Sequence, residues 1–347
     1  MMKDKKYSSY VGSMLCALAL IALSSFSVVV EARDTAMLKA LELQQAVDEA
    51  HEKYKGLKDG KNADYIPILA TVPSELFAVV IVTKDGEVFA AGDTDYVFAI
   101  ESTSKPFILA MVMQESGPEA VMEKIGVEPT GMPFNSKIAL ELLKARSVNP
   151  LVNAGAIAQV SMVKASSEEE RWKKVLGNLS DFAGEDLKLM DEVYKSEYES
   201  SWSNRAIANL LYNYERLYSD PEEAMRVYTK QCSVGVTTKD LGFMGATLAN
   251  GGVNPKTGKR LLDAEHVPEL LAVMLTAGFY DESGEWSYTA GLPAKTGVGG
   301  GIVAIVPGEM AIAAFSPRLN EAGNSIRATK AINYISNKFK LSIFDGS

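Results

Sequence analysis

The sequence predicts an α+β protein in which one antiparallel sheet is assembled from both chain ends, with a helical region inserted between them. A β-rich run from Leu76 to Val82 meets Lys84-Asp85-Gly86-Glu87 and re-enters Val88-Phe89-Ala90, an Asp-Gly hairpin pattern. Near the other end, Gly301 to Val306, the turn Pro307-Gly308-Glu309 and Met310 to Phe315 make a second hairpin. The stretch between, about residues 103–290, carries mainly helical patterning. Strands at the termini with helices segregated in the middle are an α+β arrangement.

The remaining elements follow in chain order. Lys3, Lys5 and Lys6 precede the uncharged stretch Val11 to Val30, and Val30-Glu31-Ala32 stands just before Arg33. This is the pattern of a signal peptide over residues 1–32, and it predicts an exported protein, periplasmic or secreted. The alternative is a membrane anchor left uncut, since twenty uncharged residues just span a bilayer. Four serines and a glycine weaken that alternative. Residues 33–347 read as one catalytic domain, without repeats or a long linker. From 35 to 58, Met37, Leu38, Leu41, Leu43, Ala46 and Val47 interleave with charges, as in an amphipathic helix. After the first hairpin, a strand over Val97-Phe98-Ala99-Ile100 leads into the apolar helix Phe107 to Met113. Ser166-Ser167-Glu168-Glu169-Glu170-Arg171 reads as a solvated helix start. An amphipathic helix from Ile326 to about Phe339 closes the chain.

Composition excludes several function classes. With 347 residues, 47% hydrophobic and 23% charged, the chain has ample material for a buried core. Its 44 acidic and 35 basic residues give a net charge of −9, so no nucleic-acid partner is expected. Of the two histidines, His51 sits in the N-terminal amphipathic helix and His266 in the polar stretch from Asp263 to Pro268, and both are expected at the surface. Serine or cysteine hydrolases that rely on a histidine base are therefore not expected. With Cys16 in the leader, Cys232 is the sole cysteine of the mature chain, so no internal disulfide can form. It is expected in the core. There is no H-E-x-x-H or other zinc set, and Gly252 to Lys259 has one residue too many for a phosphate loop. Neither a metal nor a cofactor is expected.

A lysine-based site is present. In Ser102-Thr103-Ser104-Lys105, residues i and i+3 share a face, so a hydroxyl and an amine can meet. A hydroxyl needs a neighbour to take its proton, and burial can lower a lysine's pKa enough for that role. Lys295-Thr296-Gly297 stands just before the closing hairpin. An S-x-x-K followed by a downstream K-T-G is the pattern of penicillin-recognising serine acyltransferases. The plain alternative is an N-cap serine and an exposed lysine.

Further blocks narrow the choice. They include Ala63-Asp-Tyr65-Ile-Pro67, Asn149-Pro-Leu-Val-Asn153-Ala-Gly-Ala-Ile157, Ser196-Glu197, Asn204-Arg205-Ala206, Tyr228-Thr-Lys-Gln-Cys232-Ser233, Gly278-Phe-Tyr280-Asp281 and Gly291-Leu-Pro-Ala-Lys-Thr-Gly-Val298. On these, over roughly residues 40–342, the chain closely resembles the serine-dependent glutaminases. The resemblance implies a β-lactamase/transpeptidase-like fold and hydrolysis of L-glutamine to L-glutamate and ammonia through a γ-glutamyl-serine intermediate. It implies Ser102 as nucleophile, Lys105 as general base, and Tyr65 and Tyr280 as proton relays. Backbone N–H groups of Ser102 and Val298 would stabilise the oxyanion. Asn153, Glu197, Asn204 and Tyr228 would hold the amino-acid head group, with Tyr280 and Ser102 also touching substrate. No cofactor is implied, and a homodimer or homotetramer is expected.

Departures are modest: Thr296 stands where many members have serine, Phe279 replaces a common methionine, and Ser201-Trp-Ser203 precedes Asn204. Two rival readings stand beside it. One is a β-lactamase or D,D-peptidase, with Ser147-Val148-Asn149 as its third element; Glu197 and Asn204 count against it, because such acyl donors need no head-group clamp. The other is a non-catalytic glutamine-binding protein.

Overall fold

The computed structural model describes residues 38–142 and 148–345; the leader and Ser147 lie outside the described residues. The chain divides into two compact units, residues 1–46 and 47–347. In the first, residues 38–46 are helical. All that follows concerns the second, which opens with helical residues 47–54, here α1.

Its centre is the expected sheet. The strands β1 (Ala78–Thr83) and β2 (Val88–Gly92) form the first hairpin, and β7 (Gly301–Val306) and β8 (Met310–Phe315) the second. With β6 (Ala294–Thr296) they make a five-stranded antiparallel sheet in the order β2-β1-β8-β7-β6. The two hairpins join through β1 and β8, in register from Ala78 opposite Phe315 to Thr83 opposite Met310. β7 and β8 are buried along their whole length, and β1 along all but its last residue. Such strands carry continuous apolar runs, because both faces of the sheet are covered.

The helices are α2 (Pro67–Ala70), α3 (Lys105–Ser116), α4 (Pro118–Lys124), α5 (Ile138–Leu142), α6 (Asn153–Met162), α7 (Glu168–Ala183) and α8 (Asp191–Ser200). They continue with α9 (Trp202–Asn213), α10 (Pro221–Cys232), α11 (Thr238–Ala249), α12 (Val267–Ala277), α13 (Ser283–Thr289) and α14 (Ile326–Phe339). α11 covers one sheet face and α14 the other. The approach of α11 depends on two glycines: a Cβ on Gly242 would lie 2.7 Å from Val82, and one on Gly245 would lie 2.6 Å from Val303. The helix expected from Ser166 is α7; the Ser167 hydroxyl accepts from the Glu170 N–H at 3.2 Å, and the Glu170 carboxylate accepts from the Ser166 N–H at 2.7 Å.

A second sheet was not expected. β3 (Phe98–Ala99), β5 (Val234–Val236) and β4 (Lys188–Leu189) pair antiparallel in that order. Strands of two or three residues are too short to show alternation in sequence. This small sheet matters because it fixes where the chain enters the turn at Ser102. His51 also departs from expectation: it is half-buried, with its ring stacked on Phe77 at 5.0 Å. An imidazole offers a flat ring face, which packs readily on another ring.

Arg327 on α14 ties the ends of this unit together. Wholly buried, it donates to the carbonyls of Leu57, Ser74 and Glu75 and to the Glu75 carboxylate at 2.9 Å. Its removal strands several carbonyls away from water. Arg327→Met is therefore expected to destabilise the fold by about 3 kcal/mol or more, read as a lower midpoint in urea unfolding at unchanged slope.

Candidate active site

The turn that carries Ser102 is built by β3 and β5. The Ile100 N–H donates to the Val234 carbonyl at 2.8 Å, and the chain then turns through the 3-10 segment Glu101–Ser104 into α3. The Thr103 hydroxyl bonds back to the Ile100 carbonyl, and the Ser104 hydroxyl to the Glu101 carbonyl at 2.6 Å. Pro106 sits in the first turn of α3, where its missing N–H is harmless. Glu101 has φ +49°, a left-handed conformation for a residue that is not glycine. Backbone strain of this kind costs about 1–3 kcal/mol and persists where the surroundings impose it. It lies immediately before Ser102.

Ser102 and Lys105 are both buried. The Lys105 Nζ donates to Asn153 Oδ1 at 2.8 Å and lies 5.9 Å from the Tyr228 ring centre. Burial lowers the Lys105 pKa to about 8, against an opposing pull from Cys232, Glu101 and Glu197. A lysine so placed can accept a proton.

The Asn153 amide donates onward to Asn204 Oδ1 at 2.9 Å, linking the start of α6 to α9. Glu197 on α8 accepts from the Ser233 hydroxyl at 3.4 Å. Carboxylate oxygens of Glu101 and Glu197 and the Cys232 sulfur lie within 4.8 Å of one another, all buried. Burial pushes both carboxyl pKa values well above the usual carboxylate range, and Glu197 raises Glu101 further. Two buried carboxylates this close do not both ionise, so the pair retains a proton. Cys232 is the core residue expected, its thiol pushed upward by burial.

The opposite wall comes from the 3-10 turn Tyr280–Glu282 and the loop after β6. Tyr280 is the second strained residue, with φ +58°. Its ring packs on Phe134 at 4.6 Å, and its buried hydroxyl interacts with Ser102 without a strict hydrogen bond. A Cβ on Gly297 would lie 3.1 Å from the Thr103 nitrogen and 3.2 Å from the Ser102 nitrogen. Glycine there lets the β6–β7 loop close onto the Ser102 turn. Among the hydrogen bonds of the described residues, none uses the Ser102 or Val298 backbone N–H as donor. Two unspent donors beside a serine are the parts of an oxyanion hole.

Ser102, Lys105, Asn153, Glu197, Asn204, Tyr228, Tyr280 and Val298, expected from sequence, thus converge. Tyr65 differs in degree: it is 55% exposed and lies just before α2, and its hydroxyl pKa is pushed up by burial and by the nearby Tyr280, Glu101 and Glu197. Glu101 was missed, although an acid directly before Ser102 was visible. Lys295 had a motif but no role; its partners are main-chain carbonyls, which leave no trace in sequence.

Comparison with known proteins identifies the family. The family model described as Glutaminase matches residues 60–344. The curated "Glutaminase 1" of Escherichia coli O6:H1 is 53% identical over 310 residues, 89% of this chain and 100% of that protein. The solved structure of "Probable glutaminase ybaS" superposes with a TM-score of 0.87 at 53% identity, covering 88% of this chain and 99% of the other. That of "Mglu in its glutamate form" gives a TM-score of 0.83 at 36% identity, covering 88% and 70%. The fold is thereby of the β-lactamase-like class that the sequence predicts.

Proposed function

Since the chain belongs to the glutaminase family, we propose that Ser102 is the nucleophile with which it hydrolyses L-glutamine to L-glutamate and ammonia. The observation that carries this is one turn holding Ser102 and the buried Lys105, faced by the unspent N–H groups of Ser102 and Val298. Lys105 takes the hydroxyl proton as Oγ bonds to the side-chain amide carbon, and the two N–H groups receive the developing oxyanion. The C–N bond then breaks. Tyr280 gives its proton to the departing nitrogen and recovers one from protonated Lys105, so ammonia leaves and the γ-glutamyl ester remains. Water attacks the ester by the same route, and Ser102 regains its proton as glutamate is released. Tyr65 is the more exposed of the two tyrosines.

For the head group, Glu197 accepts from the substrate ammonium, while Asn153, Asn204 and Tyr228 donate to its carboxylate. A related protein solved in a glutamate form supports a site of this kind. Glu197→Gln is expected to raise KM by about 10²-fold with a smaller change in kcat; an unchanged KM removes Glu197 from the clamp. The whole reading is tested by assaying purified protein for ammonia from L-glutamine and for β-lactam opening. Penicillin turnover without ammonia release would overturn it.

We also propose export, on the lysine-led uncharged N-terminal stretch. N-terminal sequencing of secreted protein should then begin at Arg33, whereas a membrane-bound protein retaining Met1 supports the anchor. Among the described residues, no helix is long and apolar enough to cross a membrane. Self-association is proposed through the exposed apolar side chains Ile138, Leu142 and Tyr212 on α5 and α9, which the Tyr214 hydroxyl bridges by donating to Glu141. Sedimentation of the full chain measures it.

A further inference from the structure

We infer that Lys295 is a positioning residue: it holds the Tyr280 turn in its reactive orientation and ties it to the strand that leads to Val298. The inference rests on Tyr280 acting as the proton relay proposed above.

Lys295 is wholly buried in β6, and its Nζ donates to the Gly278 carbonyl at 3.1 Å and to the Thr296 carbonyl at 2.6 Å. The same nitrogen lies 4.3 Å from the centre of the Tyr280 ring. Among the described residues it forms no ion pair; the charged neighbour it feels is Lys105, a like charge. A buried lysine without an acid partner is costly, and packing alone would be served as well by methionine. What the amine does is bond the main chain on both sides of the site. Burial holds its pKa well below the ordinary lysine range, so it serves chiefly as a hydrogen-bond donor.

The Tyr280 turn needs such support. Its φ of +58° is unfavourable for tyrosine, and neighbouring bonds enforce it. The Ser283 hydroxyl accepts from the Phe279 N–H at 3.0 Å and donates to the Tyr280 carbonyl at 2.9 Å. Behind it, Asn320 and Asn324 both donate to the Glu282 carboxylate. In front, the Gly278 carbonyl accepts from both the Thr296 N–H at 3.2 Å and Lys295. A Cβ on Gly278 would fall 1.7 Å from the Ala294 carbonyl oxygen, so turn and strand are in direct contact. Two residues beyond Thr296 stands Val298. Lys295 therefore has its backbone in the strand that leads to one oxyanion donor and its side chain against the proton donor. Displacing a reacting group by about 1 Å can cost about 10²-fold in rate.

The test is a double-mutant cycle in the full chain, with kcat and KM measured on L-glutamine. Lys295→Met is expected to lower kcat by about 10²-fold with KM within about threefold of wild type. Tyr280→Phe is expected to lower kcat by about 10²- to 10³-fold. If Lys295 acts through Tyr280, the double variant is no slower than Tyr280→Phe within about threefold. Effects that multiply, or a wild-type kcat for Lys295→Met, overturn the inference. A wild-type kcat for Tyr280→Phe instead overturns the relay reading, and the two failures are told apart by the single variants. Should Lys295→Met fold poorly, Lys295→Gln carries the same cycle. Its amide can still donate to Gly278, so it is expected to keep kcat within about tenfold of wild type; a folded glutamine variant as slow as Tyr280→Phe also counts against the inference.

Discussion

Ser102→Ala is expected to lower ammonia release from L-glutamine by about 10⁴-fold or more while the protein stays folded. The loss is large because no neighbouring group can replace the hydroxyl. Cys232 is buried with a thiol pushed away from ionisation, and Thr103 and Ser104 spend their hydroxyls on the carbonyls of Ile100 and Glu101. The fold tolerates the change because the turn is closed by the Thr103 and Ser104 hydroxyls, whereas Ser102 Oγ only approaches the Tyr280 hydroxyl. Circular dichroism and an unchanged unfolding midpoint check the second half. Turnover within tenfold of wild type in a folded variant would remove Ser102 as nucleophile and favour a different attacking group.

The second large effect concerns Lys105. Its pKa is lowered to about 8, chiefly by burial, and the form that accepts a proton is the neutral amine. The neutral fraction grows as pH rises, so kcat/KM should climb with pH and level off above about 8. Two units below, about 1% is neutral, which predicts a slope near tenfold per pH unit on the acid side. Glu101, Glu197, Tyr228, Cys232 and Tyr280 face the same space, and two of these are carboxyls with raised pKa values. A profile by itself does not assign the limb; the variant does. Lys105→Met is expected to reduce kcat/KM by about 10³-fold and to abolish the rise with pH. Activity that keeps the same acid limb in Lys105→Met would transfer the base role to the carboxyl pair.

The sequence carried the hairpins plainly. Strands buried on both faces are written as unbroken apolar runs, and Asp85-Gly86 and Pro307-Gly308 mark the reversals with residues that tolerate the turn. The pairing of the small β3-β5-β4 sheet was illegible, since its strands are very short and their partners are remote in sequence, Phe98 opposite Val236 and Lys188 opposite Gly235. His51 was misjudged for a related reason: its stacking partner, Phe77, is distant in sequence and close only after folding. Tyr65 shows the limit at the site itself. Its block of residues identified the position, but nothing in that block told how far the ring stands from Ser102 or how exposed it is.

The chain's amino acids by themselves determined the α+β architecture, the scarcity of histidine, and the placement of Ser102 and Lys105 on one turn. These are local or compositional properties, set by residue type and by spacings of a few positions. Tertiary structure alone decided which lysine can take a proton, which carboxyls share one, and what Lys295 touches. Those outcomes depend on desolvation and on charges brought together from α3, α8, α10 and β6, and such energies exist only once distant segments have excluded water from between them.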